Sequence, residues 1–237
     1  VVVHGMSGWA SGDTSVITDD QRGVYTQIGA NPLSTGGGTG GALWISIRTT
    51  KIASAVSTVF TETGVGNTGG GLTVFAGTGV SGVGASAARQ NKGESTQTES
   101  PVVLTFPAVT LTTNPIILGC FGEDNPAALG PPTSFVEDTD TGWANSTNGV
   151  EICHVASGQT SAAYTYASGA FTDHNEVGVE LDATGAYTLA ANVGAYTDTG
   201  TAVTPKAGRY LGAAAGTYSE SGTAATFAKG FSFSAAA

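Results

Sequence analysis

The chain has 237 residues and a formal net charge of −10, from 8 Lys and Arg against 18 Asp and Glu, and Gly, Ala, Thr and Ser fill more than half of its positions. Only 11% of residues are charged, too few for a coiled coil or helical bundle; glycine follows no three-residue period, which excludes collagen; and two cysteines cannot staple a miniprotein of this length. The acidic balance would repel nucleic-acid phosphates, while 40% hydrophobic residues and a mean hydropathy of +0.09 argue for an ordered chain rather than a disordered one.

Val1 to Val3 reads as a strand already in progress, which implies removed upstream residues or an N-terminal strand that pairs elsewhere; with no basic region or long apolar core, it is not a signal peptide. Short β-type segments then follow between Gly, Asn, Asp and Thr-rich turns. They are Ser15 to Thr18, Val24 to Ile28, and Ala42 to Arg48 with Leu43, Ile45 and Ile47 on one face. Next come Ala55 to Phe60, Leu72 to Phe75, Val102 to Phe106, Val109 to Leu111, Ile116 to Phe121 and Glu151 to Val155. The last are Ala163 to Tyr166, Val177 to Leu181, Tyr187 to Ala190, Arg209 to Leu211 and Phe227 to Phe233. Helical periodicity is nearly absent; Ala85 to Gln90 and Ala213 to Ala215 each suit one turn at most. This rhythm predicts an all-β, antiparallel, jelly-roll-like β-sandwich with Gly/Thr-rich loops. One domain over 1–237 is expected, with 184–237 as the alternative boundary of a small C-terminal β-module. No apolar stretch approaches the length of a membrane span.

The Gly-rich stretches Ser34 to Gly41 and Gly64 to Gly71 lack the Lys-Ser/Thr of a phosphate loop and read as sandwich loops. Glu123 to Pro132 reads as a long loop and is the best candidate for an exposed functional one. Cys120 and Cys153 lie in apolar strands and are expected to be buried thiols, the alternative being one inter-strand disulfide. His154 follows Cys153, and adjacent strand residues point to opposite faces, so they are no catalytic pair. His4 is read as structural, and Asp173-His174-Asn175-Glu176 as a polar turn.

Asp19-Asp20, Glu123-Asp124 and Glu137-Asp138-Thr139-Asp140 are the acidic clusters. Glycoside hydrolysis requires two carboxylates across a sugar, but each cluster reads as solvated turn carboxylates. Close-set oxygens in Glu137 to Asp140 suit Ca²⁺ without matching an EF-hand loop; an ordinary turn is the expectation, and no metal or cofactor is assigned. Trp9, Trp44 and Trp143 are the candidate contacts to a partner or glycan, Trp44 standing on the opposite face from Leu43 and Ile45. No nucleophile signature is present, and no enzyme activity is expected.

The segment Thr14 to Gly29, with Val16-Ile17-Thr18-Asp19-Asp20-Gln21-Arg22-Gly23-Val24-Tyr25-Thr26 at its centre, resembles the V-T-D-x-x-G-N-x-Y-T-x-x-G hairpin of a β-sandwich family found in tailed-phage virion proteins and bacterial surface proteins. Leu43-Trp44-Ile45, Leu72 to Gly77 and Asn114 to Gly119 follow in that family's order, so the resemblance spans roughly residues 1–182. Arg22 stands where the pattern has glycine, and Gly23 where it has asparagine. The resemblance implies a structural or binding role with no catalytic residues to carry over. The expected function is a non-enzymatic virion structural protein of a tailed phage, as capsid decoration or a tail, fibre or spike component. Its expected partners are its own copies and other virion proteins, at the particle surface, with no nucleic acid and no membrane. The alternative is a carbohydrate-binding or adhesion module of a phage or bacterial surface protein that recognises a host-surface glycan.

Overall fold

The computed structural model describes residues 1–7, 15–34, 41–51, 60–64, 69–96, 101–122, 130–143, 148–167 and 174–193. Trp9, the loop residues 123–129 and the strands expected at Arg209 to Leu211 and Phe227 to Phe233 lie outside them. Two five-stranded antiparallel sheets dominate. The first runs β14 (Ala183–Val193), β6 (Gly69–Val80), β1 (Val2–Ser7), β4 (Gly41–Arg48), β3 (Tyr25–Ser34). The second runs β10 (Val136–Trp143), β11 (Asn148–Val155), β9 (Ile116–Gly122), β13 (His174–Leu181), β7 (Ala88–Thr96). β14 belongs to the first sheet by pairing with β6.

The period-2 pattern of β4 explains how the sheets close. Leu43, Ile45 and Ile47 point inward with Val3, Ile28 and Phe75 and meet Ile117, Phe121, Ile152, Val177 and Val179 of the second sheet. The expected all-β antiparallel sandwich is what forms. Two smaller ribbons cover the outer faces. β8 (Val103–Thr105) pairs with β12 (Ala163–Thr165). From this ribbon and its flanks, Leu104, Phe106, Tyr164 and Tyr166 pack on Ile116, Leu118 and Cys120 of β9 and on Cys153 of β11. β2 (Ser15–Asp19) pairs with β5 (Phe60–Gly64), and Ile17 packs on Val2 and Val74 behind the first sheet.

The second sheet is thus covered on both faces, and β9 and β13 are buried at every position. Two neighbouring glycines let the layers approach. A Cβ on Gly119 would stand 3.0 Å from Leu43 and 3.2 Å from Val3, and one on Gly178 would stand 2.9 Å from Phe106 and 3.0 Å from Leu104.

Several sequence expectations change. Val109 to Leu111 is not a strand: Val109 and Leu111 are exposed, the Asn114 N–H donates to the Leu111 carbonyl in a turn, and the Leu111 N–H donates to Glu180. Gly84–Ala87 forms a short 3₁₀ turn, after which Ala88 enters β7 rather than extending a helix. The segment around Asp19 is a corner and not a hairpin, because β2 pairs with β5 while β3 pairs with β4. Asp173-His174-Asn175-Glu176 does not form a polar turn, since His174 to Glu176 open β13 and are fully buried. Glu137 to Asp140 is not a turn either; it lies within β10.

Candidate functional site

Glu137 and Asp140 are three residues apart, and a regular strand would send them to opposite faces. β10 is not regular. Glu137 faces Cys153, Thr139 faces Ile152 and Asp140 faces Glu151, so Asp138 is an extra residue in a β-bulge. The bulge resets the phase of the strand. Glu137 and Asp140 then share the face that carries Cys153 and Glu151 on β11.

Carboxylate oxygens of Glu137, Asp140 and Glu151 all lie within 4.8 Å of one another. Their exposure is graded: Glu137 is exposed, Asp140 half-buried and Glu151 only 2% exposed. Neither Glu151 oxygen has a hydrogen-bond partner among the described residues, and the same holds for the buried Tyr166 hydroxyl. Burial first, then the charges of Glu137, Asp140 and Asp138, push the Glu151 carboxyl up to about 10. Asp140 is also raised, by burial and then by Glu137. Without a counter-charge, Glu151 is therefore a neutral acid at pH 7.

Asp138, the bulged residue, turns to the other face. Its Oδ2 lies 2.7 Å from His154 Nδ1, and His154 packs edge-on against Phe75. Burial raises Asp138 above the usual carboxylate range despite the opposing pull of His154. Thr139 Oγ1 lies 2.6 Å from Thr73 Oγ1 and ties the bulge to the first sheet.

The other buried carboxylates are engaged. Glu180 accepts hydrogen bonds from Arg89, from the Gln90 amide, from the Leu111 N–H at 2.9 Å and from Asn114 Nδ2 at 2.8 Å. Asp19 accepts from the Gly23 N–H at 2.7 Å, the Tyr25 hydroxyl at 2.6 Å and Arg48 Nε at 2.9 Å. Burial alone would raise Asp19, but these donors bring it below the ordinary value. A Cβ on Gly23 would sit 2.1 Å from Asp19 Oδ2, so only glycine allows that approach. Arg22 occupies the left-handed region with φ 56° at the position where the resembled pattern carries glycine.

The histidines have structural surroundings. His4 stacks on Trp44, with ring centroids 5.3 Å apart, and its Nε2 lies 3.1 Å from Ser46 Oγ. His174 Nε2 lies 2.9 Å from Glu176 Oε1, both side chains being fully enclosed. His154 and Cys153 do point to opposite faces, Cys153 into the core under the β8–β12 ribbon. Both cysteines are buried, and no disulfide joins them. Burial, then Glu151, Asp138 and Glu137, keeps the Cys153 thiol well above its ordinary value and so unreactive.

Of the three tryptophans, Trp44 does stand on the face opposite Leu43 and Ile45, but it is 2% exposed and therefore offers no surface for a sugar ring. Trp143 ends β10, and neither its side chain nor Trp9 lies within what the structure describes. Of the acidic trio, Glu151 is closed off from any sugar. A shallow depression lined by Pro132, Thr133, Gln159, Ser161, Tyr164 and Thr165 lies elsewhere; the Tyr164 hydroxyl there is already committed to Thr110 and the Ser161 carbonyl.

Glu151 is the residue that sequence reasoning missed. Its signal was parity: it shares the strand phase of the buried Cys153 and Val155, not that of a solvated face. What the trio can do chemically is present three hard oxygen ligands, from solvent inward, to one point. Compared with protein-family models, with curated proteins and with solved structures, the chain matches none.

Proposed function

We propose that the chain is a non-enzymatic structural component of a tailed-phage virion, in capsid decoration or in a tail, fibre or spike, and that it acts through contacts between subunits. The observation that supports this reading is the two-sheet antiparallel sandwich, in which the resembled segment from Thr18 to Tyr25 forms a corner and not the pattern's hairpin. Its resembled residues are bound into one framework, in which Asp19 gathers Gly23, Tyr25 and Arg48, and Arg48 Nη2 closes on the Gln21 carbonyl at 3.2 Å. The other segments of the resemblance fall in β4, β6 and β9, within the two large sheets. The reading therefore rests on the framework of the sandwich. Small residues at the layer contacts and an acidic, lysine-poor composition suit a repeated part that packs against copies and stays clear of nucleic acid. The glycan-binding alternative loses Trp44 as a platform and keeps Trp9 and Trp143.

The test is to separate assembled particles from free protein in the producing culture by density-gradient sedimentation. Mass spectrometry should find this chain in the particle fraction at many copies. Recovery of the chain solely as free monomer, with none in particles, would overturn the proposal.

A further inference from the structure

We infer that Glu137, Asp140 and Glu151 form a Ca²⁺ site that pins the bulged edge strand β10 to β11. Two ligands on opposite sides of one calcium ion, at roughly 2.4 Å each, stand about 4.8 Å apart. The three carboxylates meet that limit pairwise, which leaves a point within about 2.8 Å of all three, a few tenths of an ångström from calcium's ligand distance. A second, independent feature points to a ligand. Glu151 is buried with neither oxygen partnered among the described residues, and it is directed at the two carboxylates of β10. Burying a carboxylate without a partner is costly, and a divalent cation would supply the missing one.

The donor set selects the ion. All three ligands are hard oxygens, which favour Ca²⁺ or Mg²⁺ over softer metals. Neither cysteine belongs to the cluster, and His154 is on the other face with Asp138. Mg²⁺ demands compact octahedral geometry at about 2.1 Å and gives up its waters reluctantly, whereas Ca²⁺ accepts irregular, mixed sites. Glu137, being exposed, provides the way in from solvent.

The experiment is calorimetric titration of the chelated full-length protein with CaCl₂, and separately with MgCl₂, at neutral pH. We expect one Ca²⁺ per chain and weaker Mg²⁺ binding. Glu151→Gln and Asp140→Asn should each weaken Ca²⁺ by at least about tenfold. Glu151→Gln should melt no lower than the wild type in chelator, since the amide keeps the side chain's shape and takes one acid out of a crowded trio. Asp140→Asn, at a half-buried position, provides a second reading independent of the core. Absence of Ca²⁺ heat at millimolar concentration, or Ca²⁺ binding unchanged in both variants, would overturn the inference.

Discussion

Glu180 and Glu151 stand on the same face of the second sheet, on either side of β9, with Glu180 opposite Ile116 on β13 and Glu151 opposite Cys120 on β11. Both are almost excluded from water. Around Glu180 the chain gathers a guanidinium, two side-chain amides and a backbone N–H. Around Glu151 it gathers carboxylates, and leaves both oxygens without a partner among the described residues. The pair shows two ways to keep an acid inside a β-sandwich. One brings its counter-charge in the sequence, from β7 and the turn before β9, and is complete on folding. The other has no counter-charge among the described residues, and the proposed cation would supply one from outside.

The sharpest way to break this contrast is Glu180→Ala, which strands Arg89 and Asn114. It should cost about 3–5 kcal/mol in urea unfolding; a loss below about 1 kcal/mol would make the two corners equivalent. Asp19→Ala, removing the other self-sufficient carboxylate, should cost about 2–4 kcal/mol. Its pH dependence follows from a folded value below the ordinary 3.8. That stabilisation is present above the unfolded value and disappears as the pH falls through the folded one.

Glu151 has the opposite sign. Its folded value lies near 10 against 4.5 unfolded, so between these limits the unfolded chain ionises while the folded chain keeps the proton. Calcium-free protein should therefore lose stability as pH rises through that window, by at most about 1.4 kcal/mol per pH unit from this group. Glu151→Gln should flatten the slope and gain about 1–2 kcal/mol at pH 7 in chelator, as measured by denaturant melts at a series of pH values. The smallest effect is at the Asp19 corner. Arg22→Gly should gain roughly 0.5–1 kcal/mol by relieving a left-handed φ, and a thermal melt raised by a few degrees would register it.

Much of the fold was legible because covered strands carry simple patterns. Leu43, Ile45 and Ile47 announced their face, and Ile116 to Phe121 its full burial. The acidic site was hidden by one residue. The bulge at Asp138 breaks the period on which strand recognition depends, so Glu137 to Asp140 looked like a turn. β7 was hidden for a different reason: its Ala88-Arg89-Gln90-Asn91 start is polar, since at the sheet edge those side chains serve Glu180 and solvent rather than a core. His174 to Glu176 misled because polar residues suggest solvent unless tertiary partners are known. The partnership of Glu151 with β10 depends on strand pairing across a hairpin, which no local pattern reveals.

Gly119 and Gly178 sit one register step apart on β9 and β13, one open toward Leu43 and Val3, the other toward Phe106 and Leu104. Where a glycine is neither crowded, as Gly23 is by Asp19, nor left-handed, an exchange for alanine or serine is a small event. At these two points it would thicken the central sheet where layers press on it from both sides. Sequence drift among the small residues should therefore halt there, and a collection of functional variants generated by random mutagenesis should be nearly blank at 119 and 178 while accepting change across the loops.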